Sequence, residues 1–160
     1  MAPSHVERID LSPEWMLGLP ETVKMAEISG YMDRAFQIVA AELKEAGAAP
    51  TGPPRAVYRD VTAETADVTA GFPVASPVST VGETEVVALP AGEAIEATHE
   101  GPYDTLTQTY EQLMTYVAEQ RLTPASVVWE EYLVGPDTEP DPQKWRTRIV
   151  FPLRSDDVRS

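Results

Sequence analysis

The chain has no cysteine, so disulfides, thiol nucleophiles and cysteine-ligated metal centres are excluded. Histidine is nearly missing as well: 2 in 160 residues leave little for a zinc or other imidazole site, and no metal is expected. Positive charge is scarce. Only 12 Lys and Arg stand against 26 Asp and Glu, a formal charge of −14. No run of basic residues forms a patch, and counterion release on nucleic acid needs one, so no direct nucleic-acid contact is expected. The acidity suits solubility, or weak attraction of cationic ligands. Long apolar runs are also lacking. None approaches a membrane span, and Met1-Ala2-Pro3-Ser4-His5 has neither the basic nor the apolar region of a signal peptide. A cytoplasmic protein without membrane contact is the expectation.

Enzyme and cofactor motifs are equally sparse. There is no Gly-x-Ser-x-Gly elbow and no glycine pattern for a phosphate or dinucleotide loop, so no cofactor is expected. His99-Glu100 is followed by Tyr103 where a zinc-protease helix needs its second histidine. Asp137-Thr138-Glu139-Pro140-Asp141-Pro142 resembles a calcium loop but lacks the central glycine, and the closing glutamate position holds Arg148, so it reads as an acidic hairpin loop.

What remains is an ordinary globular composition, 42% hydrophobic and 24% charged, with 15 prolines and 9 glycines scattered as loop punctuation. Two amphipathic helices stand out. The first has Ser29 as its cap, Gly47 as its stop, and a stripe of Tyr31, Met32, Ala35, Phe36, Val39 and Leu43. The second begins near Asp104, carries Leu106, Tyr110, Leu113, Met114 and Val117 on one face, and ends near Leu122-Thr123-Pro124. Strand patterns surround them at Val6–Leu11, Trp15–Leu19, Ala56–Val61, Asp67–Val74, Glu85–Leu89, Ala94–His99, Val127–Val134 and Trp145–Leu153. The two halves echo one another. Ala56-Val57-Tyr58 follows the first helix as Val127-Val128-Trp129 follows the second, and Gly71-Phe72-Pro73-Val74 closes one half much as Val150-Phe151-Pro152-Leu153 closes the other. The expected fold is α+β: one domain over residues 1–160 built from duplicated β-α-β-β modules, the first about 1–80 and the second about 81–155. Their pseudo-twofold arrangement would give an antiparallel sheet with two main helices on one face and a ligand groove on the other.

The residues with chemistry lie in Val127-Val128-Trp129-Glu130-Glu131-Tyr132-Leu133. Strand side chains alternate, so Glu130 and Tyr132 share one face while Trp129, Glu131 and Leu133 share the other. An unpaired carboxylate inside an apolar face is costly. Two arrangements avoid that cost. Glu130 pairs with Arg146 or Arg148 across the last hairpin or faces water, or it lies in an aromatic groove whose cationic guest supplies the counter-charge. His99 fits a strand-end residue that hydrogen-bonds the turn before the second helix better than a catalyst.

Leu89-Pro90-Ala91-Gly92, His99-Glu100-Gly101-Pro102-Tyr103-Asp104, Trp129-Glu130-Glu131-Tyr132-Leu133, and Trp145 with Thr147, Ile149 and Pro152 together resemble the GyrI-like small-molecule-binding domain. That domain also occurs as the effector-binding module of bacterial AraC- and MerR-type transcription regulators. The resemblance is densest over 85–153 and extends more loosely through Tyr58 and Gly71-Phe72-Pro73-Val74. It implies binding of small lipophilic, often cationic, molecules, as in multidrug recognition, with Glu130 as the central glutamate and Tyr132 beside it. Tyr58 and Trp145 follow as further wall residues. A one-residue slip would pass the glutamate's part to Glu131. With strand and helix patterns filling both ends of the chain, a stand-alone binder or sensor is expected; nothing in the sequence assigns an oligomeric state. The alternatives are a hydrolase of electrophilic toxins using Glu130 and Tyr132, and a protein-interaction module of the gyrase-inhibitor kind.

Overall fold

In the computed structural model, residues 5–78, 82–136 and 138–154 are described. The fold is α+β, with antiparallel strands and two main helices in two compact units. One unit takes residues 13–90, the other the described parts of 1–12 and 91–160.

In the 13–90 unit the chain runs through β2 (Glu14–Lys24), α1 (Ile28–Glu45), β3 (Arg55–Arg59), β4 (Thr65–Val74) and β5 (Glu85–Leu89), after β1 (Glu7–Leu11) has gone to the other unit. The strands lie in the order β3-β4-β2-β5. Helix α1 buries Tyr31, Ala35, Val39 and Leu43, the three-four spacing that the sequence predicts. The Tyr31 hydroxyl donates to the Leu19 carbonyl and accepts from the Ala70 amide at 3.0 Å, tying α1 to β2 and β4. Burial pushes the Tyr31 phenol up to about 12. Gly18 and Gly71 face one another across β2 and β4. A Cβ on Gly71 would stand 1.9 Å from the Leu17 carbonyl oxygen, so no other residue fits there. Gly47 ends α1 with φ +70, as expected of a left-handed stop. The start of α1 differs from expectation. Glu27, not Ser29, holds the cap position without a side-chain bond, because a 3-10 turn over Met25–Glu27 leads into the helix and makes Ser29 its second residue. Strand β2 also runs past Leu19 through Pro20; β5 flanks only Glu14–Gly18, so the proline meets an open side.

The other unit repeats the pattern with β6 (Gly92–Glu100), α2 (Leu106–Glu119), β7 (Val127–Val134) and β8 (Arg146–Pro152). Its order is β7-β8-β6-β1, the counterpart of β3-β4-β2-β5. β1 pairs with β6 from Glu7↔Glu96 to Leu11↔Gly92. Each β-α-β-β module is thus completed by an edge strand from outside its own stretch of sequence. Helix α2 buries Thr109, Leu113 and Val117, and Leu113 and Val117 pack on Ile95, Ala97, Ile149 and Phe151. Each fully buried aliphatic side chain of this kind contributes about 1.5–3 kcal/mol before entropy is subtracted. Among the described residues no helix is long and apolar enough to cross a membrane.

Candidate functional site

Strand β7 pairs with β8 in the register Trp129↔Val150, Glu130↔Ile149, Glu131↔Arg148 and Tyr132↔Thr147. Directly opposed residues of an antiparallel pair point to the same face, so Glu130 and Tyr132 share a face with Ile149 and Thr147. Ile149 belongs to the cluster that packs under α2. Glu130 therefore projects toward the helix.

There Glu130 is 7% exposed, and its carboxylate is held by two phenols. The Tyr110 hydroxyl, from α2, donates to Oε2 at 2.5 Å. The Tyr132 hydroxyl donates to Oε1 at 2.7 Å. Burial pushes the Glu130 carboxyl above the usual range, and the two tyrosine bonds pull back only partly. Among the described residues no guanidinium, ammonium or imidazole pairs with it; both groups that lower its pKa are neutral hydroxyls.

The other face of β7 is different. Glu131 is 4% exposed and accepts from the Trp129 indole N–H at 2.9 Å and from Arg148 Nη1 at 2.8 Å. The same guanidinium donates through Nε to Glu96 Oε1 at 2.5 Å. Arg148 thus serves Glu131 and Glu96, which removes the ion pair that sequence reasoning held open for Glu130. Arg146 lies 4.0 Å from Glu100.

An aromatic path leads outward from Glu130. The Tyr103 ring stands 5.9 Å from Tyr132, edge on at 71°, and 4.9 Å from Trp145 at 34°. Tyr103, 36% exposed, is the ring that links Tyr132 to Trp145. Trp145 is fixed by its indole N–H, which donates to the Glu139 carbonyl at 2.7 Å. A Cβ on Gly135 would meet the Tyr103 hydroxyl at 3.0 Å, so the glycine makes room for that ring. On the inner side Tyr110 meets Phe151 at 5.9 Å.

The turn that presents Tyr103 is clamped by His99. Its Nδ1 hydrogen-bonds Thr109 Oγ1 and its Nε2 hydrogen-bonds Thr105 Oγ1, both at 2.8 Å. The Thr105 hydroxyl donates to the Pro102 carbonyl at 2.9 Å, so the arrangement is satisfied with the imidazole proton on Nε2 and Thr109 donating to Nδ1. Gly101, at φ +125, supplies the bend. His99 is the turn-binding residue that the sequence suggested.

Of the four expected site residues, Glu130, Tyr132 and Trp145 are brought together, with Tyr103 as the link. Tyr58 belongs to the other unit: it lies opposite Val68 on β3, on the face carrying Phe72, whose ring meets Phe36 of α1 at 5.9 Å. One expectation needs correcting. The sequence pattern expects these side chains on the face opposite the helices, yet Glu130 shares its face with α2 and Tyr58 with α1. Alternation along a strand tells which residues share a face but not which face the helix takes. On β7 the helix-free face goes to Glu131 and its guanidinium, a pairing suited to partial water. Tyr110 escaped sequence reasoning because it sits in the apolar stripe of α2; a polar tip within such a stripe was the available signal. A shallow depression of about 380 Å³ in the 13–90 unit, lined by Glu21, Arg59, Asp67 and Glu85 among others, includes none of these residues. Among the described residues no cluster of acidic and imidazole groups could hold a metal ion.

The chain matches the GyrI-like small molecule binding domain over residues 5–154. No curated protein sequence matches it. Among solved structures, the EcmrR C-terminal domain superposes with a TM-score of 0.79 at 20% identity, covering 95% of this chain and 98% of that one. SAV2435, bound to tetraphenylphosphonium, superposes at 0.64 with 14% identity and 96% of each chain. A hydrolase encoded by lin2189 from Listeria innocua superposes at 0.60 with 12% identity, over 93% of this chain and 91% of that one.

Proposed function

This chain belongs to the GyrI-like small-molecule-binding domains, and from that premise we propose that it binds small lipophilic cations through Glu130. The observation that carries the reading is a buried carboxylate held by the Tyr110 and Tyr132 hydroxyls, with no cation of the described residues beside it. Hydroxyl donors keep such a group oriented but leave its charge uncompensated, and a cationic guest would supply what the protein does not. Tyr132, Tyr103 and Trp145 offer ring faces to a cation and its aromatic substituents. SAV2435, a structural neighbour, was captured with tetraphenylphosphonium, a lipophilic cation of this class. The role is that of a binder or sensor rather than a catalyst.

Isothermal titration with tetraphenylphosphonium tests this. Wild type should bind, and Glu130→Gln should bind about tenfold or more weakly, a loss of roughly 1.4 kcal/mol or more. Equal affinities would remove the charge from the account. Affinity should also fall as pH drops through the raised Glu130 pKa, because a protonated carboxyl must release its proton before a cation is held.

A second reading rests on the same raised carboxyl. A protonated glutamate beside tyrosines can serve as a general acid, which would make the chain a hydrolase of electrophilic small molecules with Glu130 and Tyr132 as the reacting pair. Product exceeding the molar amount of protein would favour this reading; stoichiometric retention of an unchanged compound favours binding.

A further inference from the structure

Among the buried side-chain polar atoms without a hydrogen-bond partner in the described residues is the Thr147 hydroxyl, on the face of the sheet that carries Glu130. Thr147 is 0% exposed, and its Oγ1 makes no hydrogen bond with the described residues. It pairs with His99 across β6 and with Tyr132 across β7. The three form one row on the face that carries Glu130, one row along from Ala97, Ile149 and Glu130 itself. Both neighbours are engaged elsewhere: His99 through both ring nitrogens at the turn, Tyr132 in donating to Glu130. Trp145 lies two residues before Thr147, and Tyr103 touches the rings of both Trp145 and Tyr132. The hydroxyl thus lies directly opposite Tyr132, one of the rings of the aromatic path, on the face that carries Glu130.

A buried hydroxyl without a partner destabilises the protein, and its simplest use is a partner that arrives with the ligand. We propose that the Glu130 site extends to Thr147, whose hydroxyl accepts a hydrogen bond from an N–H of the bound cation, so that the preferred guests are protonated aromatic amines rather than fully substituted onium ions. Glu130 answers the charge and Thr147 the donor. The inference rests on the cation-binding reading above, but adds a distinction that charge alone does not make. A trimethylammonium group offers charge without a donor, whereas a protonated dimethylamine offers both.

The test compares protonated dimethyl(naphthylmethyl)amine with trimethyl(naphthylmethyl)ammonium, which share ring and charge, by isothermal titration against wild type, Thr147→Val and Glu130→Gln. Wild type should favour the amine by about tenfold, the order expected of a hydrogen bond involving a charged group. Thr147→Val should abolish that preference while holding the trimethylammonium compound within about twofold of wild type. Glu130→Gln should weaken both compounds together. A preference that is absent in wild type, or that survives in Thr147→Val, overturns the assignment of Thr147 alone. Glu130→Gln binding both compounds as wild type does, or wild type binding neither, overturns the cation-binding reading as well. Folding of Thr147→Val is checked separately by thermal unfolding without ligand, where removal of an orphan hydroxyl should raise the midpoint. A lowered midpoint would mean that a buried water already satisfies the hydroxyl, and would overturn the proposal.

Discussion

Glu130 and Glu131 are neighbours in sequence and nearly equal in burial, yet they do opposite things. Glu131 has its counter-charge: Arg148 and the Trp129 indole both donate to its Oε2, and the same guanidinium reaches Glu96. Glu130 is unfinished, with two hydroxyls and no counter-charge from the described residues. One strand therefore carries an ion-paired carboxylate on its helix-free face and, under the helix, one that only hydroxyls of the described residues hold. Burial alone does not mark a site; the sign of the partners does.

The largest expected effect falls on the finished side. Glu131→Ala strips Arg148 of its directly opposed partner and leaves the Trp129 N–H without an acceptor. Breaking a buried pair in this way costs about 3 kcal/mol or more, lowering the thermal midpoint by roughly 6–12 °C in a chain of this size. Cation binding should survive in whatever protein remains folded. A midpoint within a degree of wild type would erase the contrast between the two glutamates.

Next come the phenols of the unfinished side. Tyr110→Phe and Tyr132→Phe each remove one donor to Glu130, at about 1.5 kcal/mol apiece. Both bonds hold the carboxyl down against burial, so losing either pushes its pKa further up. The pH below which tetraphenylphosphonium binding weakens should therefore rise in each variant. Titrations across a pH series check this, and a fall in that pH would show that the tyrosines stabilise the neutral acid instead.

Glu130→Gln sharpens the comparison from the stability side. A carboxyl whose pKa is raised on folding adds nothing unfavourable below the unfolded value near 4.5, and then subtracts stability as pH climbs toward the folded value. The ligand-free glutamine variant should thus unfold a few degrees above wild type at neutral pH, with the gap closing as pH falls toward 4.5. A gap that widens on acidification would reverse the sign of the argument.

Much of this was legible beforehand. The period of two along Val127–Val134 paired Glu130 with Tyr132 and Trp129 with Glu131, and the three-four stripes located both helices to within a few residues. What a period does not hold is handedness of placement, so the face taken by α2 had to come from coordinates. Nor does a local pattern reveal which of several carboxylates an arginine chooses: Arg148 lies opposite Glu131 only because of the β7–β8 register. The edge strands were hidden for the same reason. Glu7–Leu11 reads as a strand, but its partner Gly92–Glu100 is distant in sequence. Ser29 misled because capping is decided by backbone entry, and the 3-10 turn had already started the helix.

The smallest effect probes the same face one row away. Thr147→Val exchanges a buried hydroxyl, without a partner among the described residues, for a methyl of similar size. If the hydroxyl is kept for a guest, the empty protein should gain about 1 kcal/mol, a rise of roughly 2–4 °C measured by differential scanning calorimetry. Saturating protonated dimethyl(naphthylmethyl)amine should then narrow or reverse that lead, because wild type recovers the hydrogen bond and the variant does not. An onium ion without a donor should leave the lead intact. The Glu131 face provides the control: a partner already supplied by the chain gives a substitution penalty that no ligand changes, whereas a partner awaited from outside gives one that appears only when the ligand does.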